Sequence, residues 1–225
     1  GARNRGVPAI TMVTSLDMIP VAHGWKRGLV VEVSRDEAVC VAHVDGHILP
    51  FTLQRVPCGY KSAFDVVPGQ WTQRMDQVWL DEDNPNSITV AVLKCLEACP
   101  IDVRRYVVGN IIFAGDAVAL APDLGRRVGK KLKEILGDGE VAQQQQAALQ
   151  EDAPQDLSSE PEMLTIVPIK TSALKSLSNE LGITSCAPYR PDHIAWVGTC
   201  LWASVWYKYD DDETRINWIH APEDS

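Results

Sequence analysis

CPIDVRRYVVGNIIFAGDAVALAPDLGRRVGKKLKEIL, residues 99–136, holds a turn, an apolar strand and an amphipathic helix in one run. Pro100 and Asp102 mark the turn. The unbroken apolar sequence after it predicts a strand from Val107 to Ala114, buried on both faces. Gly115 then turns the chain. Leu124, Val128, Leu132 and Ile135 recur at helical spacing and predict a helix from about Pro122 to Leu136, ringed by Arg126, Arg127, Lys130, Lys131 and Lys133. Such a strand, glycine turn and helix form an α/β unit whose turn often faces a ligand, so Gly115 is the first candidate ligand corner.

Upstream, Pro8 suits the first turn of a helix that carries Ile10, Val13, Leu16, Met18 and Ile19 and ends at Gly24. The segment GLVVEVSRDEAVCVAHVDGHILPFTLQRV, residues 28–56, reads as strand, turn, strand, a tight Asp45-Gly46 turn, and a further strand interrupted by Pro50. Gly59 to Phe64 opens a short helix. Residues 67–86, with two prolines, Trp71 and Trp79, form an irregular excursion. Ser87 caps a helix that runs to Cys99 and is stopped by Pro100.

Downstream, Asp138 to Glu162 holds seven acidic residues and no Lys or Arg. It is Gln-rich and too poor in apolar residues to offset the entropy of ordering, which predicts a disordered or loosely tethered loop. A strand near Met163 to Val167, a helix near Ser172 to Leu181, a strand near Ile183 to Ala187 and a helix near His193 to Tyr207 follow, with Trp218 as an anchor in the tail. Hairpins followed by alternating helices and strands predict an α/β fold with a mixed sheet flanked by helices.

The net charge of −9 falls to −2 once the seven acidic residues of the loop are set aside (−9 + 7). Neither value gives the basic surface that nucleic acid or an anionic membrane requires. The six cysteines form no CxxC pair and read as free, mostly buried thiols of a reducing compartment. No apolar run reaches membrane-spanning length and the first residues lack a secretion signal, so a cytosolic or nuclear protein is expected.

Four segments in order, VPAITMVTSLDM, GLVVEVSRDEAVCVAHVDGHILP, CPIDVRRYVVGNIIFAGDAVALAPDL and HIAWVGTCLWASV, resemble the actin superfamily. The resemblance implies an actin-like, ribonuclease H-like sheet. Residues 1–137 and 163–190 would be subdomain 3, 66–86 a reduced subdomain 4, 138–162 the acidic loop, and 191–225 the helix and tail returning to subdomain 1. The first strands of subdomain 1 and all of subdomain 2 have no counterpart, as in a fragment or an incomplete gene model. Val7-Pro8, CPID with Arg104 and Arg105, and Arg215-Ile216 before Trp218 are most similar to the actin-related proteins at the pointed end of dynactin.

Actin-fold ATPases hold phosphates on D-x-G-x-G hairpins, whose glycines let backbone N–H groups close around the oxygens. The matching hairpin here runs from Glu32 to Asp36, with Ser34 and Asp36 in place of both glycines. The Gly-Gly pair expected after the central strand is Gly115-Asp116, and the Lys expected before the last helix is Asp192. These departures imply no catalysis and no cofactor other than weakly held ATP or ADP, which a degenerate motif can still bind. P-loop, GxSxG and HExxH patterns are missing too. His43 and His47 flank the Asp45-Gly46 turn, but a metal site needs a third ligand. Arg127, Lys130 and Lys131 form a basic helix face that is either solvated or meets an acidic partner.

The resemblance implies a non-catalytic scaffold subunit that caps the pointed end of the dynactin filament. Its partners would be actin-related filament subunits and other pointed-end subunits, with no nucleic acid and no direct membrane binding, in the cytoplasm and cytoskeleton. The implied docking face carries Asp45, Gly46, His47, Asp102, Val103, Arg104 and Arg105. The alternatives are a nuclear actin-related subunit of a chromatin remodelling complex and an actin-fold ATPase.

Overall fold

The structure is a computed structural model that describes residues 9–10, 12–63, 72–137, 174–206 and 219–220. Strand β1 (Ala9–Ile10) is extended, so the first helix begins later than Pro8, which lies outside the described residues. Helix α1 (Ser15–His23) starts where Thr14 caps it: the Thr14 hydroxyl accepts the Asp17 N–H at 3.2 Å and donates to the Asp17 carboxylate at 2.6 Å. Gly24 ends it as expected.

Strands β2 (Arg27–Val33) and β3 (Ala38–Val44) form the predicted hairpin. Asp45 and Gly46 both take positive φ, 52° and 85°, the form of turn that matches strand twist, and lead into β4 (His47–Ile48). Pro50 opens a 3-10 turn to Thr52, after which β5 (Gln54–Val56) returns to the β3 edge. Helix α2 (Tyr60–Ala63) is short, as expected. In place of an irregular excursion, residues 72–80 form α3 (Gln73–Met75) and a π-helical turn, Asp76–Leu80, pinned by a fully buried Trp79.

Helix α4 (Ile88–Ala98) is capped by the Ser87 hydroxyl, which accepts the Val90 N–H at 3.2 Å. The next element corrects the sequence reading. Asp102 to Arg105 are not a turn but lie in helix α5 (Ile101–Val108), and strand β6 is only Ile111–Ala114. Pro100, which stops α4, serves as the cap of α5 and accepts the Val103 and Arg104 N–H groups at 3.2 and 3.0 Å. Val107 and Val108 are buried from the end of a helix, so the apolar run crosses a helix-to-strand junction.

Helix α6 (Asp116–Leu120) follows Gly115, and α7 (Leu124–Gly137) matches the predicted amphipathic helix. A 3-10 turn at Lys175–Glu180, strand β7 (Ile183–Thr184), helix α8 (Ile194–Trp206) and strand β8 (Ile219–His220) complete the described chain. The expected strand at Met163 to Val167, the acidic loop and Trp218 lie outside the described residues.

The fold is α/β, built on a mixed sheet in the order β4-β3-β2-β6-β7, with β5 also on β3. Strands β2, β6 and β7 are parallel and β2–β3 is antiparallel. Alternation along β2 separates two cores. Leu29, Val31 and Val33 face α4, α5 and α7, with Leu93, Leu96, Val107, Leu124, Val128 and Leu132. Val30, with Ile112 and Ala114, faces α1 and α8 through Ile19, Ala22 and Ile194. Helices α1 and α8 approach so closely that a Cβ on Gly198 would collide with the Met18 carbonyl. The outer side of α8 leaves Trp196 70% and Val205 53% exposed. No helix among the described residues is long and apolar enough to cross a membrane.

Candidate functional site

The carboxyl ends of β2 and β6 meet the loop before α8, the crevice where open α/β sheets bind ligands. The structure brings together there the three segments that the sequence singles out. Gly115 has φ 97°, and a Cβ on it would lie 2.6 Å from the Val33 carbonyl oxygen, so only glycine lets β6 leave the sheet against the end of β2. Its N–H donates to the Pro191 carbonyl at 2.9 Å, which places Asp192 beside the same corner.

An anion cradle needs backbone N–H groups that are unspent and convergent. In the Glu32–Asp36 hairpin, the Ser34 N–H and hydroxyl both donate to the Glu37 carbonyl, at 2.9 and 3.0 Å. The Ser34 and Arg35 carbonyls accept the Tyr60 and Lys61 N–H groups at 3.0 and 2.9 Å, so α2 closes the hairpin from outside. Glu32 accepts the Ser15 hydroxyl at 2.7 Å, which ties β2 to α1.

Asp116 opens α6 and is exposed. Burial acts to raise the Asp192 pKa, but hydrogen bonds from Arg190, at 3.1 and 2.7 Å, hold the carboxyl below its ordinary value. The corner thus has two committed N–H groups and carries the carboxylates of Glu32, Asp36, Asp116 and Asp192. As arranged, it joins strands and offers little to a phosphate.

The second candidate region is the pair of segments expected to form one docking face. They stand 57 residues apart, from Asp45 to Asp102, yet Arg27 joins them. Its guanidinium bonds both Asp45 carboxylate oxygens at 3.3 Å, sits 5.2 Å from the centre of the Tyr106 ring on α5, and also feels the Asp102 charge. Beside the turn, Gly46 and His47 border a groove of about 360 Å3 that Met12, Val13 and Trp202 line with apolar surface.

The two arginines of α5 have different surroundings. Arg104 is part-buried and donates to the Glu97 and Cys99 carbonyls, both at 2.8 Å, satisfying the end of α4. Arg105 is exposed and pairs with Glu180 at 2.7 Å. Arg27 and Tyr106 are the members of this region that sequence reasoning missed. Nothing in local pattern connects them, because strand β2 and helix α5 meet only through tertiary packing.

Other candidates resolve simply. The hairpin register pairs His43 with Ile48 and His47 with Val44, so the two histidines are not cross-strand neighbours. No group of three His, Cys, Asp or Glu suited to a metal ion occurs among the described residues. Five cysteines are buried free thiols, with burial pushing Cys58 up to about 12 and Cys186 to about 11, while Cys200 is exposed. The basic face of α7 is divided: Arg127 and Lys131 reach Asp76 and Glu82 of the same chain at 3.9 and 3.1 Å, and Lys130 pairs with Glu134 at 3.7 Å.

No protein-family model matches the sequence, and no curated protein matches it.

Proposed function

We propose that this chain is a non-catalytic, actin-related scaffold subunit of the cytoplasm and cytoskeleton. In this reading it caps the pointed end of dynactin's filament of actin-related subunits and links it to the other pointed-end subunits in dynein-driven transport. The observation that supports the reading is the Arg27 junction, which joins the Asp45 turn to Tyr106 and the Asp102 charge on α5, next to a groove lined by Met12, Val13 and Trp202 together with Thr14 and Asp17. Apolar anchors such as Met12 and Trp202 beside charged groups such as Arg27 and Asp45 suit an end-capping subunit, since docking uses apolar anchors framed by complementary charge. The self-satisfied nucleotide corner supports the non-catalytic part of the reading.

The test uses exposed residues, because Arg104 also closes α4. The double variant His47→Glu and Arg105→Glu keeps the fold, as the Arg105–Glu180 pair is a surface ion pair worth roughly 0–1 kcal/mol. Its co-sedimentation with dynactin is expected to fall at least fivefold. Unchanged co-sedimentation, or a tagged chain confined to the nucleus, overturns the reading.

A further inference from the structure

Strand β7 closes one side of the sheet among the described residues. Ile183 lies opposite Ile111 in parallel register, and the Gly182 carbonyl accepts the Ile111 N–H at 2.9 Å. Alternate residues of a parallel ladder turn their polar backbone groups to opposite sides. Ile183 therefore points its N–H and C=O groups away from β6, as a template for another strand.

A groove of about 690 Å3 runs beside this edge, with Phe113, Val118 and Ile183 on its floor and α7 as its wall. Arg126, Lys130 and Lys133 line that wall at spacings of four and three residues, on one helical face. The rise of the helix spreads them over about 10 Å. Among the described residues, no Asp or Glu lines the groove. Arg126 and Lys130 are held by Asp123 and Glu134 in exposed pairs at 3.2 and 3.7 Å, which contribute little and release readily. Lys133 is exposed and makes no ion pair among the described residues. In a chain of net charge −9, this is a concentrated positive wall.

We propose that the groove is a strand-addition site for an extended acidic segment of a partner protein. The segment pairs its backbone with the outer edge of β7 at Ile183 and aims carboxylates at Arg126, Lys130 and Lys133. Side chains on one face of a strand repeat every ~7 Å, so two successive carboxylates fall within reach of the row of cations. The same cations act against the usual hazard of an open strand edge, because a second copy would bring like charge to like charge. The groove is separate from the docking edge at Arg27, so this inference stands or falls independently of the capping reading.

The probe is a fluorescein-labelled decapeptide of alternating Glu and Val, titrated into the full chain and followed by anisotropy at 50 and 300 mM salt. Saturable micromolar binding is expected, weakened at least fivefold at the higher salt. Lys130→Glu with Lys133→Glu is expected to weaken it at least tenfold. Lys61→Glu, which reverses an exposed cation elsewhere, leaves it unchanged. A peptide N-methylated at alternate residues keeps its charge but loses its edge hydrogen bonds, and is expected not to bind. The proposal is overturned by the absence of saturable binding, by equal losses in the Lys61 and Lys130/Lys133 variants, or by equal binding of the methylated peptide.

Discussion

His43 is the residue with the least polar satisfaction in the core. Thr52, Ser87 and Thr89, buried like it, each hydrogen-bond to backbone, whereas both ring nitrogens of His43 lack a partner and Nε2 stands 3.5 Å from an Asp17 oxygen. Burial outweighs the pull of Asp17 and the Leu16 backbone, with His47 adding a small push in the same direction as burial, and the imidazole pKa drops below 6.5. His23 shifts the same way through burial. The unfolded chain takes up these protons near pH 6.5 and the folded chain only at lower pH. The stability carried by the neutral rings is therefore complete above about pH 6.5 and declines as the pH falls toward the lowered folded value, by at most about 1.4 kcal/mol per pH unit for each group. Asp123 and Asp192, held below their ordinary values, act at lower pH still. Urea melts at pH 7, 6 and 5 should show a falling midpoint, and His43→Phe should flatten that fall. Equal slopes in the two proteins would mean that His43 does not titrate with folding.

At the level of elements, the contact of α1 with α8 sets a conflict between two magnitudes. Gly198→Ala gains about 1 kcal/mol of helix propensity. The added Cβ, however, meets the Met18 backbone carbonyl, which cannot swing aside as a side chain would, and overpacking of this kind costs about 1–3 kcal/mol. The collision is rigid, so the variant should be less stable than the parent by up to about 2 kcal/mol in chemical denaturation; a gain in stability would show that α1 and α8 slide apart freely. The same elements show what sequence could disclose. The β2–β3 hairpin, its Asp45-Gly46 turn, the Ser87 cap and the stripe of α7 all follow from local chemistry, and each was legible. Pro8 is a permitted helix start, but Thr14 with Asp17 three residues on is the stronger signal, and the first helix begins there. The central strand is shorter than its apolar run, because such a run has no period that separates a buried helix end from a buried strand. Val107 and Val108 face the same core as Ile111, and only the Pro100 cap discloses the helix they end.

For the whole molecule, the candidate site was half legible. Ser34, Asp116 and Asp192 stand out as departures from a phosphate-binding pattern, and the structure brings their segments together where Gly115 meets the Val33 and Pro191 carbonyls. The Arg27 junction was hidden, since the strand, turn and helix that build it share no local pattern. The corner carries the final prediction. A nucleotide that binds only the folded chain stabilises it by RT ln(1 + [L]/Kd), about 2.7 kcal/mol at a hundredfold excess over Kd, enough to raise a melting temperature by several degrees. Here the Ser34 and Gly115 N–H groups are spent on Glu37 and Pro191, and Glu32, Asp36, Asp116 and Asp192 set negative charge around the place a triphosphate would occupy. Arg35 and Arg190 oppose that charge only in part, and Arg190 is already bound to Asp192. Millimolar ATP with magnesium should therefore move the melting temperature by less than about 1 °C and release no phosphate above background. A shift of several degrees with steady phosphate release would restore the active ATPase reading and remove the non-catalytic one.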